Sequence, residues 1–461
     1  NEQRTYGEAR LLSGEIEMAG GNLSEAAVQL RQVGAEDRVY VQALAMLVEV
    51  SRRQGNQQTM VATLTELLKL QPQNINARLQ LSSLFARDKA YDRVEQLMAE
   101  GLQYAPGHPQ LELVLCQALL MQGDAGKASR ALKIATGLTE RLPGNSEVWG
   151  SWAAAKNALN QTAEATSKLE ALAKEPPSAG TSASVAFGRL LATQYLRLDR
   201  RDDARKALEG LIQSHRQAPE VLPAYMDAYA LLADGQKPGW SGEAIRLLEQ
   251  ALKDFPPSAQ NGQSLVLSRY LGRMYLLEGK VGEARRVMQE ALKVQPKFAL
   301  VLVDLGELEL SQKNVDAAIE KFEAAIALDP GLWGALNNLA WALATEKGDV
   351  ASARTRIDQA LRLQPRHSSL LDTSGWIHYL AGDYRSAERE LEESLASSPS
   401  LVTKYHLGMT LAKRSEQTSS ASAKADLQLR AKGLLGEFLA ESKGPAHERE
   451  RAEAEKVLKG L

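Results

Sequence analysis

Six histidines and one cysteine are the side chains of this 461-residue chain best suited to metal or nucleophilic chemistry. The histidines are His108, His215, His367, His378, His406 and His447, scattered along the sequence. A helical zinc site needs two of them about one turn apart on one face, as in a His-Glu-x-x-His run, and no pair has that spacing. Cys116 stands alone, which excludes an internal disulfide and a thiolate metal cluster. It reads as a small buried apolar residue. The carboxylate pairs Asp202–Asp203 and Glu392–Glu393 fall on solvated helix surfaces or turns, where charge runs serve solvation. No Gly-rich phosphate loop and no Gly-x-Ser-x-Gly elbow occurs. The expectation is a chain that is not an enzyme, with no catalytic residue, metal site or cofactor.

Charge narrows the partners. Lys and Arg total 55 against 57 Asp and Glu, a formal net charge of -2, so the basic footprint of nucleic-acid binding is missing. No stretch reaches 18 consecutive apolar residues, and no transmembrane helix is expected. The sequence starts at Asn1 with neither Met nor an apolar leader, as expected of a processed protein or an excised fragment.

The elements that must position any functional residue are helices. Hydrophobic residues make up 44% of the chain but aromatics only 5%, with Ala and Leu, strong helix formers, contributing much of the remainder. Alternating β-branched and aromatic runs are few. Prolines punctuate the helical segments at a fixed interval: Pro72 and Pro106, Pro143 and Pro177, then Pro296, Pro330, Pro365 and Pro399. The spacing is 34 residues, except for 35 between Pro330 and Pro365. A 34-residue period is that of a helix-turn-helix repeat, closed each time by a residue that cannot continue a helix.

The repeat with Leu305, Gly306, Ala318, Phe322, Ala325 and Pro330 closely resembles the tetratricopeptide-repeat (TPR) family. Leu271, Gly272, Tyr275, Gly279, Ala284 and Ala291 carry the same framework before Pro296, and Gly375, Gly382, Asp383, Tyr384 and Ala387 carry it before Pro399. Gly14, Gly21 and Ala26 place a repeat at the start of the chain. Small residues let two helix backbones approach, while Leu305 and Phe322 fill the space between them. Glu309 departs from the pattern, which usually has a large apolar residue there. The resemblance implies an all-α, right-handed superhelical solenoid of about twelve helix pairs with a C-terminal capping helix. An N-terminal array over 1–179, a continuous C-terminal array over 180–444 and the capping helix over 445–461 are the expected domains. Turns at 174–184, 234–240, 256–262 and 415–422 are lengthened by Gly, Pro and Ser.

In this family the first helix of each pair lines the concave face, and projecting the repeat places a strip of residues there. It comprises Arg269, Tyr270 and Arg273; Val303, Asp304 and Glu307; Asn337, Asn338 and Trp341; Asp372, Thr373, Trp376 and Tyr379; and finally Tyr405 and His406. Trp, Tyr and Arg are the types that dominate binding hot spots, and Asn can hold an extended backbone. Packing between helices competes as a reading for Trp341 and Trp376, and is favoured for Trp149 and Trp152. The carboxylate clamp of chaperone-adaptor relatives would fall on Val303, Glu307, Asn338, Ser369 and Thr373. Only Asn338 matches, and Glu307 would repel a carboxylate.

The runs at 337–341, 371–376 and 405–408 together resemble bacterial envelope TPR proteins that accompany exopolysaccharide synthesis and export, including exosortase-associated lipoproteins. That resemblance implies a periplasmic or envelope scaffold whose partners are other proteins, glycan-export machinery among them. Two alternatives stay open: a cytoplasmic peptide-binding regulatory or chaperone-like adaptor, and a carbohydrate-binding solenoid stacking sugars on Trp341, Trp376 and Tyr379.

Overall fold

A computed structural model of the chain describes residues 2–235, 239–258, 260–443 and 447–461. It is 80% helical, and no strand forms among the described residues. Two compact units divide it, Asn1–Leu231 and Leu232–Leu461.

The first unit is built of helical hairpins: α1 (Glu2–Ala19) with α2 (Leu23–Arg31), α3 (Tyr40–Arg53) with α4 (Gln57–Leu70), and α5 (Ile75–Arg87) with α6 (Tyr91–Tyr104). It continues through α7 (Pro109–Met121) with α8 (Ala125–Arg141), α9 (Ser146–Ala158) with α10 (Thr162–Lys174), and α11 (Thr181–Arg197) with α12 (Arg201–Ser214). A 3-10 turn at Pro219–Val221 leads into α13 (Leu222–Gly235), within which the first unit ends at Leu231. The expected division after residue 179 lies inside this unit, between α10 and α11.

The second unit opens with α14 (Trp240–Asp254) and α15 (Gly262–Leu277) with α16 (Val281–Val294). Then come α17 (Ala299–Ser311) with α18 (Val315–Leu328) and α19 (Trp333–Trp341) with α20 (Val350–Leu363). α21 (Ser368–Leu380) with α22 (Tyr384–Ser397), α23 (Leu401–Glu416) with α24 (Ala421–Glu441), and a closing helix α25 (Glu448–Gly460) complete it. The twenty-five α-helices among the described residues correspond to the expected twelve pairs and closing helix. Pro445, where that helix was expected to start, lies outside the described residues, as do parts of the turns at 234–240 and 256–262.

One register explains the hairpins. A glycine on the first helix faces a large side chain sixteen residues later on the second: Gly14 meets Leu30, Gly272 meets Met288, Gly306 meets Phe322 and Gly375 meets Leu391. Twelve residues after each glycine comes a fully buried alanine, namely Ala26, Ala284, Ala318 and Ala387. Cys116 takes the glycine position above Ala128 and Ala135, with no exposed surface, and burial pushes its thiol up to about 12. Glu309, the odd residue of the best repeat, is buried because Arg285 and Asn314 both donate to its carboxylate.

A Cβ added at Gly306 would lie 2.5 Å from the Phe322 ring. Gly306→Leu is therefore expected to overpack the hairpin and cost about 1–3 kcal/mol. Glu307→Ala, one residue along on the exposed side, should stay within about 0.5 kcal/mol at neutral pH. Chemical denaturation of both variants checks the register; equal losses would show it to be wrong.

The 35-residue interval has a local cause. Helix α19 runs into a π-helical segment, Ala342–Glu346, before the turn at Gly348. Ala340 follows Gly306 by 34 residues, whereas Gly348 follows Lys313, the equivalent left-handed turn residue, by 35. The inserted residue is thus absorbed as a π-bulge between them, a distortion that widens the helix and recurs at functional sites. Thr345 Oγ1 donates to the Trp341 carbonyl at 2.8 Å and holds the bulge.

Candidate protein-binding groove

In the second unit the first helices of four successive hairpins, α17, α19, α21 and α23, form one wall, and α25 faces it across a cavity of about 1010 Å³. Glu307, Leu310 and Ser311 line it from α17, with Lys313 at the following turn. Asn338 and Trp341 line it from α19, joined by Ala344, Thr345 and Glu346 of the π-bulge. Trp376 and Leu380 come from α21, Tyr405 and His406 from α23, and Glu448, Arg449, Glu450, Ala452 and Glu453 from α25.

An aromatic column backs the wall. Tyr379 stacks on Trp376 at 4.4 Å and 8°, and Trp376 stacks in turn on His406 at 4.2 Å and 24°. Trp341 lies 5.7 Å from the same imidazole. Asp372 fixes that ring, with its carboxylate oxygens 3.0 and 3.1 Å from His406 Nδ1. Helix α25 seals the other side: Ala454 is buried, and Val457 and Leu458 pack against Trp376, Tyr405 and Met409. The Tyr405 hydroxyl donates to Glu453 at 2.7 Å, and Arg451 donates to the carbonyls of Leu439 and Ser442 at the end of α24. Burial, reinforced by Tyr384 and Glu453, pushes the Tyr379 phenol up to about 12.

The sequence-derived strip therefore divides. Glu307, Asn338, Trp341, Trp376, Tyr405 and His406 reach the groove. Asp372 and Tyr379 stand behind it as supports, and Thr373 is buried. Asn337 is half-buried, its Oδ1 enclosed without a hydrogen-bond partner. Asp304 is only 1% exposed and ties α17 to α15, accepting from Arg269 at 3.1 Å and Arg273 at 2.8 Å. These two arginines thus serve the stacking of neighbouring hairpins, and Tyr270 is half-buried on α15 beside them. Asn338 donates to Glu307 at 2.8 Å, so the one clamp-like residue is bound to a carboxylate of the chain itself. His378 and His406 engage different partners, His378 lying 3.5 Å from Asp383 and 3.7 Å from Glu390. Trp149 and Trp152 are buried against one another in the first unit.

Sequence reasoning passed over two groups of lining residues. The π-bulge residues were hidden because a 3.6-residue period gives no sign of where an inserted residue will be absorbed. The α25 carboxylates had a signal: Ala454, Val457 and Leu458 form an apolar stripe with Glu448, Glu450 and Glu453 alongside.

Glu307 carries the perturbed carboxyl of the groove. Although 43% of its side chain faces solvent, desolvation by the groove walls and the nearby Asp304 carboxylate hold it above its ordinary value of 4.5, against Arg273 and the Asn338 hydrogen bond. The folded state therefore favours the protonated form. That contribution to stability is complete below the ordinary value and is lost as pH rises through the shifted one. Glu307→Gln, which mimics the protonated form, should gain on the wild type over that window and be slightly the more stable at neutral pH, the gain kept small by solvent screening. Denaturation midpoints from about pH 4 to about pH 7 measure it; a pH-independent difference would refute it.

Residues 271–332 and 343–402, which hold α17 and α21 of the wall, match the family model of the tetratricopeptide repeat. These stretches are tetratricopeptide repeats. Over 196 residues the chain is 28% identical to a TPR repeat-containing protein of Pseudomonas aeruginosa, a match covering 41% of this chain and 31% of the relative. The chain thus spans less than a third of that relative's length. Among solved structures, a TPR protein from Parabacteroides merdae matches with 18% identity and a TM-score of 0.43, over 58% of this chain and 98% of that one. Yeast Tom70 matches with 15% identity and a TM-score of 0.41, over 99% and 96%. Among the described residues, no helix is long and apolar enough to cross a membrane.

Proposed function

We propose that this TPR chain is a non-catalytic scaffold that holds a segment of a partner protein in the groove between the α17–α23 wall and α25. The observation that carries the reading is Trp341. It is a half-buried indole presented into a cavity of about 1010 Å³, beside Asn338 and the π-bulge. A concave site with an aromatic anchor and a few placed polar groups is what recognition of an extended chain requires. A photo-crosslinking amino acid at Leu380 in the groove should capture the partner. The same probe at Leu429, 72% exposed on α24 and not part of the lining, should not. Equal capture from both positions would remove the groove from consideration.

The proposal extends to setting. The runs at 337–341, 371–376 and 405–408 supply Trp341, Trp376 and His406, and these rings meet in one cluster. The segments that resemble envelope TPR proteins of exopolysaccharide export are thus a single structural unit. We place the scaffold in the bacterial envelope on that resemblance, with glycan-synthesis or export proteins as its partner class. Fractionation of cells expressing the full-length gene tests this; recovery in the cytosol alone would refute it.

A further inference from the structure

We propose that the segment held in this groove is cationic, a stretch rich in Lys or Arg whose side chains meet the carboxylates of α25 and Glu307 while its apolar portions rest on Trp341. The inference rests on the groove being the binding site.

Charge complementarity carries it. Five carboxylates line the cavity, those of Glu307, Glu346, Glu448, Glu450 and Glu453, against two cations, Lys313 and Arg449. Both cations are already committed: Lys313 lies 3.5 Å from Glu346, and Arg449 lies 3.3 Å from Glu453. Among the described residues, neither Glu448 nor Glu450 has an ion-pair partner. Glu307 has Arg273 only at 3.8 Å, and that guanidinium is closer to Asp304, at 2.8 Å. The excess is local, because the whole chain carries a net charge of only -2.

The walls sharpen the preference. A cleft of one sign with low-dielectric walls focuses its field and concentrates oppositely charged ligands. Indole faces such as that of Trp341 attract ammonium and guanidinium groups directly. Desolvation by the groove walls and the neighbouring Asp304 carboxylate outweigh Arg273 and raise the Glu307 carboxyl, a balance that a cation brought into the groove would reverse. An anionic peptide, a terminal carboxylate or a nucleic-acid backbone would meet repulsion in the same place.

The test uses the purified chain on an array of random twelve-residue peptides, alongside Trp341→Ala, Glu307→Gln and the double variant Glu448→Gln/Glu450→Gln. Peptides bound by the wild type and lost by Trp341→Ala should be enriched in Lys and Arg. For the tightest of them, each neutralised variant should bind about fivefold or more weakly at low salt, with a melting temperature no lower than that of the wild type and a shallower salt dependence. Trp341-dependent binders that are neutral or acidic would overturn the cationic assignment and leave the groove as the site. Finding no Trp341-dependent binder would overturn the groove reading, and this inference with it. Affinity unchanged in both neutralised variants would overturn the role given to these carboxylates.

Discussion

Trp376→Ala is expected to destabilise the second unit by about 3–5 kcal/mol, as truncation of a packed core tryptophan does. The indole is 9% exposed and is held between Tyr379 and His406 at stacking distance. Removing it takes support from three helices together: the Tyr379 and His406 rings on α21 and α23 lose their stacking partner, and Val457 and Leu458 of α25 lose the surface they cover. Loss of helical signal on heating should therefore come earlier for the second unit than for the first. Trp341-dependent binding should fall in step with folding. A variant that melts like the wild type yet no longer binds would show that Trp376 is an anchor after all.

Trp341→Ala should behave in the opposite way. Its side chain is half-buried on the groove wall, next to the π-bulge, and only partly packed against the same cluster. Truncation of an aromatic anchor at the centre of a binding site costs roughly 2–4 kcal/mol of affinity, or about thirty- to a thousandfold in Kd. The expected result is that loss, measured by calorimetry with a partner segment, together with a melting temperature close to that of the wild type. Unchanged affinity would move the site elsewhere. A large drop in melting temperature would assign Trp341 to the core with Trp376.

These two tryptophans show how far the candidate site is legible in the sequence. They are 35 residues apart, occupy equivalent places in consecutive repeats, and project onto the same strip. Their difference arises from residues remote in sequence. Trp376 is covered by α25, whose apolar stripe folds back from the end of the chain and is fastened by Arg451 and by the bond between Tyr405 and Glu453. Periodicity reports which face of a helix a residue occupies but carries no information about what closes over that face. Asp304 and Arg269 make the same point from another side, since polar residues projected onto the strip instead pair across adjacent hairpins.

The sequence by itself determined the helical hairpin, its 34-residue period and the small-to-large pairing of Gly306 with Phe322, because backbone approach and side-chain volume act over short spans of chain. It also showed, in the spacing of Pro330 and Pro365, that one repeat carries an extra residue. Only the tertiary structure decided that this residue becomes a π-bulge on the groove wall, that α25 turns a row of aromatic rings into one side of a groove, and that carboxylates outnumber cations along its lining. Each of these depends on how separate repeats and the closing helix lie against one another. That arrangement is set by the sum of many weak packing contacts, which no single motif encodes.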